Sequence, residues 1–262
     1  MAKISYFNVC KNLISVDLII FKQLIFDKFI DLAIWVSLST LVTAYILPYF
    51  GLNPDFGLFQ LGGLIAAAGL FEMGNSNVVD LVSDFEGDRI ISFNLTLPIP
   101  SWVALVSKAG YYFIIYTILA LLMIPIGKIC LWSQFDLASV NYLKLLLAIF
   151  ASSLFYASFA LWIASITPNM SKFGQVWTRF IFPMWFLGGF QFSWMASYKT
   201  IQSFAMANLI NPMIYITEAV RCALLGQEGY LNFWLCILVI LLFAALSFYF
   251  GIKSLRKKLD FI

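Results

Sequence analysis

The sequence predicts an all-α, polytopic membrane protein with six transmembrane helices. Its composition points to this class, because 62% of the residues are hydrophobic and only 11% are charged, whereas about 25% of the residues of a soluble domain are charged. A chain so poor in charge cannot cover a folded body with polar surface and needs lipid as its solvent. The charges also cluster, which leaves uncharged stretches of about 20 residues, the length that crosses a hydrocarbon core of about 30 Å.

These uncharged stretches define the predicted spans. They cover residues 32–54, 109–127, 145–171, 180–198 and 229–252, and a sixth, 56–79, is interrupted only by Glu72. The spans are therefore expected over roughly 31–50, 57–78, 109–131, 143–167, 176–194 and 230–251. An ionisable residue inside a span is costly and usually marks function, so Glu72 is a candidate for the transport pathway. The alternative is that Glu72 reaches water at the end of its span.

Residues 1–30 predict an amphipathic helix at the membrane interface. Polar residues recur among Ile, Leu, Val and Phe, at Asn8, Lys11, Asn12, Ser15, Lys22, Gln23 and Asp27, a pattern typical of a helix lying in the interface plane. A plain cytoplasmic lead-in is the alternative. The charges are spread through 1–31 and do not precede an apolar core, so we expect no cleavable signal peptide.

The second span is distinguished by small residues, which are Gly57, Gly62, Gly63, Ala66, Ala67, Ala68, Gly69 and Gly74. Small residues three and four positions apart let helix backbones approach closely. We therefore expect this helix inside the bundle and away from lipid.

The fifth span and the segment after it carry further candidates. Trp185 and Phe186 belong to a dense aromatic set within 177–194, which either lines a path for a lipid tail or sugar chain or packs against lipid and the interface. The segment 195–229 is broken by polar residues into apolar pieces too short to span, and it therefore predicts re-entrant helices on the outer side. Within it, Glu218 and Arg221 are three residues apart and could form an ion pair that braces an outer gate. The alternative role of these two residues is contact with the substrate.

The distribution of Lys and Arg predicts that both termini are cytoplasmic. With six spans and the N-terminus inside, only four of the 16 Lys and Arg residues fall outside, namely Lys128, Lys144, Lys199 and Arg221. This bias follows the positive-inside rule. An odd number of spans would place one basic terminus outside.

The composition also argues against a catalytic or metal site in this chain. It contains no histidine, and its four cysteines show no CxxC pairing, so a zinc, haem or histidine-based site is not expected. We predict no catalytic residue, no metal ligand and no bound cofactor.

The polar inner segment 79–107 is the strongest functional feature of the sequence. Asp80, Asp84, Glu86 and Asp88 lie within ten residues, next to Arg89, and they place negative charge on a side where positive charge is usual. A surface that docks a cytoplasmic protein would explain the charge and length of this segment. The alternatives are a solvated loop and a divalent cation held between Asp84 and Asp88, one helical turn apart.

The chain resembles the permease subunits of type 2 ABC exporters. The resemblance rests on six spans after an amphipathic helix, on an acidic segment running into L-x-L-P, and on an outer N-P…E…R element. The matching residues of the acidic segment are Asp84, Glu86, Gly87, Asp88, Arg89, Leu95, Leu97 and Pro98. Those of the outer element are Asn211, Pro212, Glu218 and Arg221.

The resemblance implies a fold and a mechanism. Residues 1–262 would form a single transmembrane domain in a bacterial inner membrane, pairing with a second, identical permease. A separate ATPase dimer would bind ATP and Mg²⁺ and dock on a coupling helix within 79–107. The chain lacks the G-x-x-x-x-G-K-[ST] phosphate loop, so it is not expected to bind ATP itself. The exported substrate would be lipid-linked, a polysaccharide or a hydrophobic drug-like molecule, and no nucleic acid is expected as a partner.

Two other classes remain open at this point. An integral membrane transferase acting on lipid head groups usually carries paired acids or histidines, and the D-G-x-x-A-R signature of one such class is absent. A channel or membrane scaffold would leave the acidic segment and the outer element without a role.

Overall fold

A computed structural model describes residues 6–86 and 100–259, and in this part of the chain every regular element is a helix, as predicted. The α-helices are α1 (Tyr6–Leu41), α2 (Phe56–Glu72), α3 (Val78–Glu86), α4 (Ser101–Leu131), α5 (Tyr142–Ile166), α6 (Met170–Val176), α7 (Phe182–Leu187), α8 (Trp194–Thr200), α9 (Gln202–Asn208), α10 (Pro212–Leu225) and α11 (Phe233–Leu259). Three π-helical segments accompany them, over Val42–Ile46, Met73–Asn77 and Trp177–Ile181. The first extends α1, the second joins α2 to α3, and the third joins α6 to α7.

Four helices of the described part are long and apolar enough to cross a membrane. They are Tyr6–Phe50, Trp102–Gln134, Tyr142–Ile166 and Phe233–Lys257, and they coincide with the first, third, fourth and sixth predicted spans. The predicted second span corresponds to α2, a shorter apolar helix. The predicted fifth span corresponds to α6 and α7 with the π-helical segment between them.

The helical segment at the fifth predicted span, from Met170 to Leu187, begins and ends earlier than the predicted 176–194. Its start is set by Asn169, whose side chain accepts a hydrogen bond from the backbone N–H of Lys172 at 3.1 Å. Its end is set by Gly188 and Gly189, since Gly189 has a φ of +77°, which favours glycine. The hydropathy pattern missed these limits because Phe190, Phe192 and Trp194 continue the apolar stretch beyond the helix.

The N-terminal helix also differs from the prediction of a separate helix over 1–30. A single helix runs from Tyr6 through Leu41 and continues by π and 3₁₀ turns to Phe50, because no glycine or proline interrupts it before Pro48. Its first half packs along α4, where Lys108 Nζ lies 3.0 Å from Asp17 Oδ1. The helix therefore joins the predicted interfacial segment to the first span.

The helix α2 lies inside the bundle, as its small residues predict. Most of its residues are buried, between α4, α5 and α10. A Cβ placed on Gly69 would lie 2.4 Å from Tyr156 Cδ2, and one on Gly57 would lie 2.4 Å from Ala44 Cβ. These approaches are possible only because glycine has no side chain.

Candidate functional site

The largest buried polar arrangement of the described part surrounds the broken end of α7. Where the helix stops at Gly188, a run of backbone carbonyls loses its helical partners, and such groups must be satisfied when buried. Side chains from α9, α10 and the turn between them supply the donors. The carbonyls that they bond belong to Met184, Leu187, Gly188, Gly189, Phe190 and Phe192. We call this arrangement the carbonyl clasp.

Arg221 is the centre of the carbonyl clasp. Its side chain is fully buried; Nη1 donates to Gly189 O at 2.5 Å and Phe192 O at 3.1 Å, and Nη2 donates to Phe190 O at 2.8 Å. Nε donates to Phe59 O at 3.1 Å, and the guanidinium carbon lies 3.4 Å from the centre of the Phe59 ring. The planar five-donor fork of arginine suits this multiple contact. Arg221 thereby ties α2 to the broken end of α7.

The beginning of α10 and the turn before it complete the carbonyl clasp. Asn211 caps α10 by accepting from the N–H of Met213 at 3.0 Å, and its Nδ2 donates to Met184 O at 2.8 Å. Pro212 occupies the first turn, where its missing N–H costs nothing. Asn208 Nδ2 donates to Leu187 O at 2.5 Å.

Glu218 fixes two neighbouring chain segments and does not pair with Arg221. Within the described residues, no ion pair joins these two side chains, so the ion pair suggested by their spacing is not formed. The fully buried carboxylate instead accepts from the N–H groups of Trp194 and Leu231, each at 2.8 Å. Both charges of α10 thus bind backbone groups, and together they lock the outer segment to the bundle.

Glu72 occupies a separate site at the opposite end of α2. Its carboxylate oxygens lie 2.8 and 3.0 Å from Lys28 Nζ, which also donates to Ser76 Oγ at 2.5 Å. The Glu72 side chain is only 10% exposed, so it faces the bundle and pairs with α1. A cavity of about 140 Å³ adjoins this ion pair and is lined also by Asp31, Trp35 and Phe71.

The two aromatic candidates point in different directions. The ring of Trp185 packs against Phe71 at 5.3 Å and against Phe190 at 4.8 Å between centroids, so it lies between the Glu72 region and the carbonyl clasp. Phe186 is exposed and stacks on Phe182 at 5.9 Å. The structure therefore brings only Trp185 into the bundle.

The acidic segment begins on α3, which is anchored by a buried polar cluster. Asn77 Nδ2 donates to Tyr116 OH at 2.8 Å, and Tyr112 OH donates to Asn77 O at 3.2 Å. Partial burial raises the pKa of the Asp80 carboxyl, although Lys108 and Lys28 act in the opposite direction. Asp84 lies on α3 and Glu86 ends it. Of the predicted coupling residues, Gly87, Asp88, Arg89 and Pro98 lie outside the described residues.

Comparison with known protein families gives one finding for this chain. The family described as ABC-2 type transporter matches residues 20–225. The chain belongs to this family. No match was found among the curated proteins. The family match extends from α1 to the end of α10, and so includes both the acidic segment and the outer element. The chain is thus a multi-pass membrane permease component of an ABC transporter.

Sequence reasoning missed several residues of this ABC-2 transporter that hold the two sites together. From the sequence, Lys28 was only one of the basic residues assigned to the cytoplasmic side. In the structure it is the ion-pair partner of Glu72. Asn208 and Thr217 donate hydrogen bonds to backbone carbonyls: Asn208 Nδ2 to Leu187 O at 2.5 Å and Thr217 Oγ1 to Gly188 O at 2.9 Å. The usable signal was a set of polar residues spaced three or four apart in an otherwise apolar segment.

Replacing Lys28 by leucine is expected to destabilise the transporter by about 2–3 kcal/mol, because the largely buried Glu72 carboxylate loses its partner. The double variant Lys28→Leu/Glu72→Leu should recover most of this loss, since no unpaired charge remains. The thermal midpoint of the purified protein, followed by size-exclusion chromatography with fluorescence detection, measures both. A double variant less stable than Lys28→Leu would contradict this explanation.

Proposed function

We propose that the chain is the transmembrane permease subunit of an ATP-driven exporter. A separate ATPase dimer binds ATP and Mg²⁺ and docks on the acidic segment 79–107, and a second copy of the chain completes the transport unit. The protein lies in a bacterial inner membrane with both termini cytoplasmic. It moves a lipid-linked, polysaccharide or hydrophobic drug-like substrate outward.

One observation carries this proposal: α2 and α3 form an uninterrupted helical path between the acidic segment and the carbonyl clasp. The path passes through the π-helical segment Met73–Asn77, and Phe59 and Asp84 are about 38 Å apart along it at 1.5 Å per residue. At one end Arg221 bonds Phe59 O, and at the other the chain enters the acidic segment. A push on α3 by an ATPase would therefore reach the outer segment through a helix of bilayer length.

The rigidity of the outer segment supports its role as a gate that moves as a unit. Arg221, Asn211 and Thr217 bond carbonyls of 184–192, and Glu218 bonds the start of α8 and the segment just before α11. Such a fully bonded polar network resists partial opening. The re-entrant helices would therefore move together with α7.

Charge reversal in the acidic segment tests the coupling. In Glu86→Lys/Asp88→Lys, we expect the ATPase to dissociate from the permease or to hydrolyse ATP without transport, because like charges now face its docking cleft. Membrane insertion should be unchanged. Asp55→Lys is the matched control, since Asp55 is exposed on the loop at the other end of α2 and should leave coupling intact.

The measurement is affinity purification of the tagged full chain in mild detergent, with mass spectrometry of what accompanies it. Co-purification of a stoichiometric ATPase that carries a phosphate loop supports the proposal. In the charge-reversal variant, the amount of this ATPase should fall at least tenfold, or the ATPase should remain bound and hydrolyse ATP without transport. A chain that purifies alone across several detergents, or transport unchanged by the charge reversal, would refute it.

A further inference from the structure

A large apolar groove lies on the side of the bundle formed by α5, α7, α9 and α11. Its volume is about 760 Å³, within the range of about 300–1,000 Å³ typical of ligand sites. Its walls are almost entirely apolar and include Phe159, Trp162, Phe180, Leu246 and Phe250. Several of these side chains are exposed, so the groove is accessible from the outside of the bundle.

Three polar side chains interrupt the apolar lining. Two of them, Asn208 and Asn211, are already bonded in the carbonyl clasp, and the third is Ser247. Ser247 lines the groove and is only 6% exposed. Other serines of the apolar helices, such as Ser107 and Ser158, bond the carbonyl four residues earlier at 2.8 Å, the usual way to satisfy a hydroxyl in such a helix. Ser247 makes no hydrogen bond to any described residue. Its hydroxyl therefore opens onto the groove without a partner in the described part of the protein.

Cations stand on both sides of one end of the groove. On α11, Leu246 and Phe250 are followed on the same helical stripe by Lys253 and Lys257, at spacings of four, three and four residues. On the opposite wall, Phe180 belongs both to the groove and to an adjoining cavity of about 220 Å³ lined also by Lys172 and Arg179. These four cations are exposed and form no ion pair with the described carboxylates.

We infer that this groove binds one anionic phospholipid from the leaflet at its basic end. An acyl chain occupies the apolar walls, an ester carbonyl accepts a hydrogen bond from Ser247 Oγ, and the phosphate lies among Lys253, Lys257 and Arg179. Along the groove, the apolar walls are followed by a hydroxyl without a partner and then by a cationic end. The acyl chain, the ester and the phosphate of such a lipid follow one another in the same order.

The spacing along α11 agrees with this assignment. Ser247 and Lys253 are about 9 Å apart along the helix axis at 1.5 Å per residue, and a long helical side chain leans toward the N-terminus of its helix. Lys253 does so, since its Nζ lies 5.7 Å from the centre of the Tyr249 ring. The ammonium group is therefore shifted along the helix axis toward the level of Ser247, on the side of α11 that borders an adjacent cavity of about 470 Å³. Lys253 itself follows Phe233 by about 30 Å, which places it at the edge of the hydrocarbon core.

Quenching of Trp162 tests the inference on the intact chain. The protein is reconstituted in phosphatidylcholine vesicles containing a minor fraction of either phosphatidylglycerol or phosphatidylcholine with brominated acyl chains, and the Trp162 signal is the difference between the protein and Trp162→Phe. We expect brominated phosphatidylglycerol to quench Trp162 with an affinity at least fivefold higher than brominated phosphatidylcholine. Each cation near a membrane surface contributes about this factor.

Two pairs of variants separate this site from general attraction of the basic side for anionic lipid. Lys253→Gln/Lys257→Gln should abolish the preference for phosphatidylglycerol, whereas Lys11→Gln/Lys22→Gln, which removes two exposed cations from α1, should keep it. Equal quenching by the two lipids would overturn the inference. So would equal effects of the two double variants, or a Trp162 shielded from both lipids by a second copy of the chain. All four lysines are at exposed positions, so both double variants are expected to fold.

Discussion

Replacing Arg221 by leucine is expected to lower the free energy of unfolding by about 4 kcal/mol or more, because several buried carbonyls lose their donor. The substitution removes the donors to the carbonyls of Phe59, Gly189, Phe190 and Phe192. A buried group left unsatisfied costs about 1–3 kcal/mol, and part of that sum is recovered by local relaxation. Because whole domains are stable by only about 5–15 kcal/mol, the remaining loss is a large share. Reversible unfolding in mixed micelles measures it.

Two further substitutions complete this test. One separates the geometry of the Arg221 guanidinium from its charge, and the other is a control at an exposed arginine. Arg221→Lys keeps the charge but replaces five fixed donors with a compact ammonium, so it should recover only part of the stability. Arg179→Leu removes an exposed arginine and should change stability by no more than about 0.5 kcal/mol. If Arg221→Leu were as stable as Arg179→Leu, the carbonyl clasp would not hold the outer segment to the bundle.

The helical class and the central position of α2 could be read from the sequence. Both depend on composition over long stretches: the scarcity of charge requires lipid, and the glycines and alanines of 57–74 permit close approach. The structure agrees, since α2 is largely buried. The sequence also singled out Asn211, Pro212, Glu218 and Arg221, because they form a spaced polar pattern in an apolar region.

The partners of those residues could not be read from the sequence. A spacing of three residues establishes only that Glu218 and Arg221 share a helix face. Their actual partners are backbone groups of Gly189, Phe190, Trp194 and other residues, which become available only because α7 ends at Gly188. Whether a backbone carbonyl is left without a partner depends on where helices stop, and hydropathy located the end of this helix several residues too late.

The π-helical segments are the second feature that hydropathy cannot reveal. Each inserts an extra residue per turn without changing the apolar composition, and such segments are frequent at functional sites. Two of them meet: Gly74, in Met73–Asn77, packs against Trp177, in Trp177–Ile181. This contact lies where α2 passes into α3 and α6 passes into α7, so it joins two helical segments that both lead to the carbonyl clasp.

Replacing Gly74 by leucine is expected to destabilise the transporter by about 3 kcal/mol or more. A Cβ at this position would lie 1.8 Å from Trp177 Cζ3, with two further ring atoms at 2.7 Å. Adding a side chain to a filled space displaces its neighbours and typically costs about 1–3 kcal/mol, more where they cannot move. The free energy of unfolding in mixed micelles again provides the measurement.

The same substitution at Gly174 is the control, because that position is exposed and a Cβ there would have no atom within 4 Å. Gly174→Leu should stabilise α6 slightly, by up to about 1 kcal/mol, since glycine is a poor helix former. The double variant Gly74→Leu/Trp177→Ala should lose less free energy of unfolding than the two single variants lose together, because residues in direct contact are coupled. Additive effects of Gly74→Leu and Trp177→Ala would mean that the two π-helical segments do not depend on each other. A coupling above about 1 kcal/mol would make their contact the structural link between the C-terminal ends of α2 and α6.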